Sequence, residues 1–248
     1  MAKKLDTAKL VAEEVAAHHG RDYEDVPASI VSQKLQSRSA RTFPNPEGNW
    51  STVLIHDTAM VAEDALFGYK AGPVGAHTEI NSRAVIRGAI YANVVIGEKA
   101  IIGNLTKVGS FGATDKLGKI SIGRHVEMGS NCQIFSPSSG YETKIGEGAR
   151  LGNVVRIGEK AQKKNQRVLK PVTIGARALI ADKVVVLPGA SIGEDTQIER
   201  GYIIDPGVEL PSGIRIIASP FVDSKAYKPQ HITSGWRTQL RHSIEEIA

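Results

Sequence analysis

The sequence holds seven histidines, one cysteine and a lysine-rich stretch near residue 165, and these are the side chains with most chemistry to offer. A neutral imidazole can take a proton near neutral pH, a thiolate can attack, and an ammonium can hold a phosphate. His18, His19, His231 and His242 lie toward the two ends, outside the regular pattern of the middle. His56, His77 and His125 lie inside that pattern. His56 follows the apolar Ile55 and reads as structural, while His77 and His125 fall where the pattern turns. Cys132 is the single cysteine, so no intrachain disulfide can form. It occupies a small inward position, which suits a packed thiol better than a nucleophile. Residues 163–171 read KKNQRVLKP, either a solvated loop or an arm that contacts an anion.

Something must position those groups, and the spacing of aliphatic residues says what. An aliphatic recurs every six positions, most cleanly at Ile174, Ile180, Val186, Ile192, Ile198, Ile204, Leu210 and Ile216. Earlier runs include Ile96, Ile102, Val108 and Ile122, Met128, Ile134. Gly often follows the marked residue, as at Gly97, Gly123 and Gly175, and a small residue sits four places after it, as at Ala100 and Ala178. A period of six is neither the 3.6 of a helix nor a plain period of two. Each hexad reads as a short strand and a corner, with the aliphatic and the small residue inward and Gly relaxing the backbone. Three hexads close one coil of a prism, and stacked coils bury one apolar column. About seven or eight coils fit. Ile174, Ile180, Val186, Ile192 and Ile198 are predicted to point inward.

The phase breaks near Ala92, over 111–119, over 136–143 and over 163–171. Insertions in a solenoid leave the prism as loops, often on the binding face. The ends differ again. Residues 6–17 carry a helical stripe of Ala8, Val11, Ala12 and Val15, and Pro27 opens a second short helix with Ile30, Val31 and Leu35 on one face. Trp236, Leu240, Ile244 and Ile247 share a helical face near the C-terminus, suited to bracing a neighbouring subunit. The expected division is a helical extension and linker over 1–49, a prism over 50–220 and a helical extension over 221–248.

Composition narrows the function classes. The net charge of +5 comes from 31 basic and 26 acidic residues, a mild excess compatible with a phosphate-bearing ligand but no nucleic-acid footprint. No apolar run approaches the roughly 20 residues of a membrane helix, and the start MAKK leads into no apolar signal core. A cytoplasmic protein without nucleic-acid or membrane partners is expected.

The hexads resemble those of the left-handed parallel β-helix proteins, the hexapeptide-repeat family, most of whose enzymes are acyltransferases. The resemblance runs from Ile55 to Pro220. Residues 170–175 (KPVTIG) and 186–193 (VLPGASIG) are similar to the C-terminal coils of maltose, galactoside and xenobiotic O-acetyltransferases, and 218–220 (ASP) to their Gly-Asn-Pro element. Residues 55–59 and 74–80 look more like nucleotide-sugar N-acyltransferases. The fold implied is all-β, a left-handed parallel β-helix with short helical extensions. The activity implied is transfer of an acyl group from a coenzyme A thioester to an amino or hydroxyl group of a small or sugar-like acceptor, within a homotrimer.

By the same resemblance the donor lies along the C-terminal coils, in the groove between two prisms, with Lys170 at one end of the family-like run and Ser219 at the other. Acetyltransferases of this kind use a histidine base, and the aligned position falls at Ser139 or a neighbour, where a serine hydroxyl cannot act as a base. His125 is the expected substitute. Two other classes share the fold. A trimeric scaffold without chemistry is the alternative. A γ-type carbonic anhydrase is a further one, but its pair of metal histidines five apart is missing, so no metal is expected.

Overall fold

A single hexad cannot bury its aliphatic residue; that burial comes from stacking. In the computed structural model, Ile122 pairs with Ile145, Ile145 with Ile174 and Ile174 with Ile192 on neighbouring coils. Like residues therefore stack on like, and the strands run parallel throughout the prism. The structure describes residues 38–44, 50–62, 65–67, 79–80, 84–90, 94–109, 118–138, 140–159, 170–217, 230–236 and 244–246.

Three sheets form three walls. Wall A runs from Trp50–His56 through Lys119–Ile122 and Thr173–Ile174 to Glu209–Leu210. Wall B runs from Met60–Val61 through Glu127–Met128 to Ile214–Ile216. Wall C, an 8-stranded sheet, runs from Leu66–Phe67 to Gln230–Ile232. The chain visits A, B and C in turn, the arrangement of the left-handed parallel β-helix that the resemblance implies. Each wall contributes one inward aliphatic per coil. Ile174, Ile180, Val186, Ile192 and Ile198 are all at most 2% exposed, so the predicted phase is correct. Each such side chain, taken from water, stabilises by about 1.5–3 kcal/mol.

Polar groups that enter the column are paired. Thr106 Oγ1 donates to Gly129 O at 2.7 Å and accepts from Cys132 N at 3.1 Å. Thr196 Oγ1 donates to Pro211 O at 2.7 Å. Tyr202 is buried, and its hydroxyl donates to Ile217 O at 2.7 Å. Buried polar groups met in this way cost little.

Four expectations change. Most glycines after the marked aliphatics, Gly97 and Gly175 among them, are there for space; only Gly109 and Gly158, at the C–A edge, take a positive φ among the described ones. A Cβ on Gly97 would lie 2.5 Å from the Gly123 carbonyl carbon, and one on Gly175 would lie 2.4 Å from Glu194 N. The positive φ falls two residues later, at Lys99, His125, Arg177 and Asp195. The phase shift assigned to Ala92 lies at Arg87 and Gly88: Ile86 and Ile90 are both fully buried four apart, across a shortened corner, and Ile90 to Ile96 is again six. The C-terminal helical stripe does not extend to Ile244, because Ile244–Glu246 is a strand antiparallel to Ile214–Ile216. Trp236 is buried against the last coil, its N–H donating to Thr233 O at 2.9 Å. The sheet also begins before residue 50, since Arg38–Pro44 pairs antiparallel with Trp50–His56. The helices expected over 6–17 and after Pro27 lie outside the described residues, as do Leu240 and Ile247.

Candidate functional site

The prism has three edges, and they differ in chemistry. At the A–B edge every described turn from Gly97 to Gly213 is short. Its backbone groups form a ladder from coil to coil: His125 N donates to Glu98 O, Gly148 N to Arg124 O, Arg177 N to Glu147 O, Asp195 N to Ala176 O and Gly213 N to Glu194 O, all at 2.8–2.9 Å. The side chains follow in alternating charge. Arg124 Nη2 meets Glu147 Oε2 at 2.9 Å, and Arg177 holds Asp195 by two bonds at 2.8 and 2.7 Å. The Arg124 bond holds the Glu147 carboxyl below its usual range, and the Arg177 bonds do the same for Asp195.

At the B–C edge the turns carry a ladder of side-chain oxygens on backbone N–H groups instead. Asn153 Oδ1 accepts from Ser130 N at 2.8 Å, and Asp182 Oδ1 accepts from Asn153 N at 2.6 Å. Cys132 lies just inside it, fully buried, with Sγ–H donating to Gly152 O at 3.0 Å. Burial pushes its thiol pKa up, so it is a poor nucleophile.

The C–A edge is where the chain departs from the prism. It leaves wall C at Phe67, Val108, Ile134 and Ile157, and re-enters wall A only at Glu79, Lys119, Glu142 and Thr173. Three of the sequence breaks, over 111–119, 136–143 and 163–171, fall at this edge. Where described, the returning chain is tied down: Gly118 N donates to Pro137 O at 2.8 Å and Lys119 N to Tyr141 O at 2.9 Å. On the adjoining face of wall A, Glu142 lies between Lys144 at 3.2 Å and Lys119 at 3.6 Å. Partial burial raises its pKa, but the bond from the Ser121 hydroxyl and the two lysines outweigh that, and the carboxyl is held low.

Toward the C-terminal coils the turns at this edge shorten to 187–190 and 205–208. Lys170 is exposed and lies over Gly189: a Cβ there would be 3.3 Å from Lys170 Cδ and 3.5 Å from Gly207 N. A Cβ on Gly207 would meet nothing within 4 Å. At the same end His231 Nδ1 is 2.7 Å from Asp205 Oδ1.

Of the residues expected from the sequence, Lys170 stands on the C–A edge and His125 on the A–B edge. The chain therefore puts them on opposite borders of wall A. His125 has φ +56 and takes the same corner place as Lys99, Gly148 and Arg177. Its Nδ1 lies 3.8 Å from Glu147 Oε1, within the charge ladder. Ser139, Ser219 and His77 lie outside the described residues. His56 Nδ1 accepts from Thr58 N at 3.2 Å and so helps to hold the first corner. His231, outside the regular pattern in the sequence, stands on the last strand of wall C, Gln230–Ile232, whose phase the interruption after Ile216 hides.

A trough of about 470 Å³ crosses wall B between Ile101, Leu179 and Arg215. It faces away from the C–A edge and contains neither a histidine nor Lys170. Among the described residues no three His, Cys, Asp or Glu side chains gather to hold a metal. No described helix is long and apolar enough to cross a membrane.

The chain is 29% identical over 140 residues to the UDP-3-O-acylglucosamine N-acyltransferase of Albidiferax ferrireducens, covering 56% of this chain and 39% of that protein. It is 25% identical over 162 residues to the enzyme of that name from Bordetella pertussis, covering 59% and 41%. The likeness to hexapeptide-repeat acyltransferases stands. The chain spans about two fifths of the length of these curated relatives. No family model matches it. Among solved structures, the hexapeptide transferase family protein from Anaplasma phagocytophilum is 18% identical, covering 79% of this chain and 87% of that one, with a TM-score of 0.43.

Proposed function

We propose that this hexapeptide-repeat protein is an acyltransferase, taking an acyl group from a coenzyme A thioester and placing it on an amino or hydroxyl group of a small or sugar-like acceptor. One observation carries the reading: the chain's detours and Lys170 share a single edge, and Lys170 opens the coils whose sequence resembles the donor-binding coils of such enzymes. Lys170 is a point charge at the mouth of that edge and would hold a donor phosphate. The glycines beside it let a ligand approach the backbone. Ser219 remains the proposed far end of the donor run.

The reaction needs the acceptor's nitrogen or oxygen to attack the thioester carbonyl, the C–S bond to break and a base to take the acceptor's proton. The sequence offers His125 for that task. A fall in turnover of at least about 100-fold in His125→Ala, with donor binding kept, would assign it the role; an unchanged rate leaves it a corner residue. The proposed assembly is a homotrimer, since flat walls related by a cyclic axis satisfy every subunit. Its proposed setting is the cytoplasm, with no nucleic-acid or membrane partner.

Titration calorimetry with coenzyme A and acetyl coenzyme A tests the reading. Saturable binding of both is expected. A flat titration at millimolar coenzyme A, with a trimer by light scattering, favours a scaffold without chemistry.

A further inference from the structure

The pair at the end of the C–A edge has the geometry that an acyl transfer needs. An ionised carboxylate only accepts hydrogen bonds. So the 2.7 Å contact requires His231 Nδ1–H to donate to Asp205 Oδ1. In the neutral ring this places the lone pair on Nε2, the nitrogen that can take a proton. The imidazole is about half exposed, and among the described residues its ring bonds to Asp205.

Both residues are held through their backbones. His231 sits on the outer face of wall C beside Ile203, with the neighbouring Ile232 fully buried. Asp205 opens the turn 205–208, donating its N–H to Ile232 O at 2.9 Å and accepting from Val208 N at 3.2 Å. That turn stacks under 187–190, which stacks under Lys170, so Lys170, Gly189, Gly207 and the Asp205–His231 pair follow one another along one edge. Two coil steps span roughly 10 Å. The shelf between cation and imidazole is two glycines wide, and Gly207 faces open space. His125, by contrast, stands on the other border of wall A, 3.8 Å from its nearest carboxylate oxygen.

We infer that His231, oriented by Asp205, is the general base of the acyl transfer. This rests on the acyltransferase reading and names the base within it. His231 Nε2 takes the proton from the acceptor's hydroxyl or amine as that atom bonds to the thioester carbonyl carbon. The carbonyl re-forms, the C–S bond breaks, and the imidazolium returns the proton to the departing coenzyme A thiolate. Asp205 is a positioning residue, fixing the tautomer and steadying the imidazolium.

The test uses the full chain and acetyl coenzyme A, following thiol release with a panel of amino and hydroxyl sugars. His231→Gln is expected to lower kcat at least about 100-fold with KM for the donor nearly unchanged. His231→Ala should recover part of the rate when imidazole is added. Asp205→Asn should lower kcat and change the His231 tautomer read from its ring 15N shifts, while Tm stays close to that of the parent. An active parent matched by both His231 variants overturns the inference and leaves the acyltransferase reading standing. Loss of rate with a large fall in Tm and no imidazole rescue overturns it too, because the pair would then be only a brace for the last strand. A parent that turns over no thioester overturns both.

Discussion

The A–B and C–A edges of this prism are built from the same repeat, yet they have taken on opposite characters. At the A–B edge each turn is short and bonded to the next, and the side chains alternate in charge from Arg124 to Glu147 to Arg177 to Asp195. Nothing can be inserted there without breaking the ladder. At the C–A edge the chain leaves and returns over long passages, the last ending beside Lys170, and the coils below expose glycine and an imidazole–carboxylate pair. A solenoid must keep its column continuous but not all of its edges. One edge can therefore be given to stability and another to binding.

The column beneath both edges should tolerate least. Ile192 is 1% exposed, and Ile192→Asp puts an unpaired carboxylate among aliphatics. A cost of about 3–5 kcal/mol is expected, seen as a collapse of the urea midpoint or failure to fold. An unchanged midpoint would place Ile192 outside the column.

Glycine substitutions then separate the edges. Gly175→Ala drives a Cβ to 2.4 Å from the Glu194 backbone nitrogen, which cannot move without breaking the ladder. About 1–3 kcal/mol of destabilisation is expected. Gly207→Ala meets open space and suffers only from its φ of +73, costing about 1 kcal/mol. If urea unfolding ranked them the other way, the contrast between a closed and an open edge would fail.

Charges sharpen the contrast further. Lys170→Ala should leave Tm nearly unchanged and weaken coenzyme A binding by about tenfold, the worth of one charge-assisted contact. Arg177→Gln should do the reverse, with no effect on coenzyme A and a small fall in Tm. Arg177 holds the Asp195 carboxyl below its usual range, so the stabilisation is present above the unfolded-state pKa. It is lost as pH falls through the lower folded-state value. Parent and Arg177→Gln should thus converge in Tm on acidification, and also in high salt because the pair is exposed. A gap that persists in acid would mean that Arg177 acts through packing.

Much of this was legible in the sequence, and for a physical reason. Stacking places identical constraints on every coil, so Ile174, Ile180, Val186, Ile192 and Ile198 repeat the same answer and reveal the phase. The glycines were legible by position but not by cause, because a close approach between coils is a long-range fact. Local pattern misled at Ile244, whose helical spacing from Trp236 gave way to pairing with the Ile214–Ile216 edge strand. His231 was illegible for a related reason: its partner Asp205 lies 26 residues away, across an interruption of the repeat. His125 drew notice through its neighbours in sequence, and only the stacked corners reveal the ladder it belongs to.

Hydrogen–deuterium exchange with and without coenzyme A, read by mass spectrometry on the parent protein, tests the division of the edges most directly. Slower exchange is expected on ligand addition in the C–A turns 187–190 and 205–208, and no change in the A–B turns 123–126, 146–149 and 175–178. Protection centred on the A–B turns or on the wall B trough, or none at saturating coenzyme A, would contradict the account.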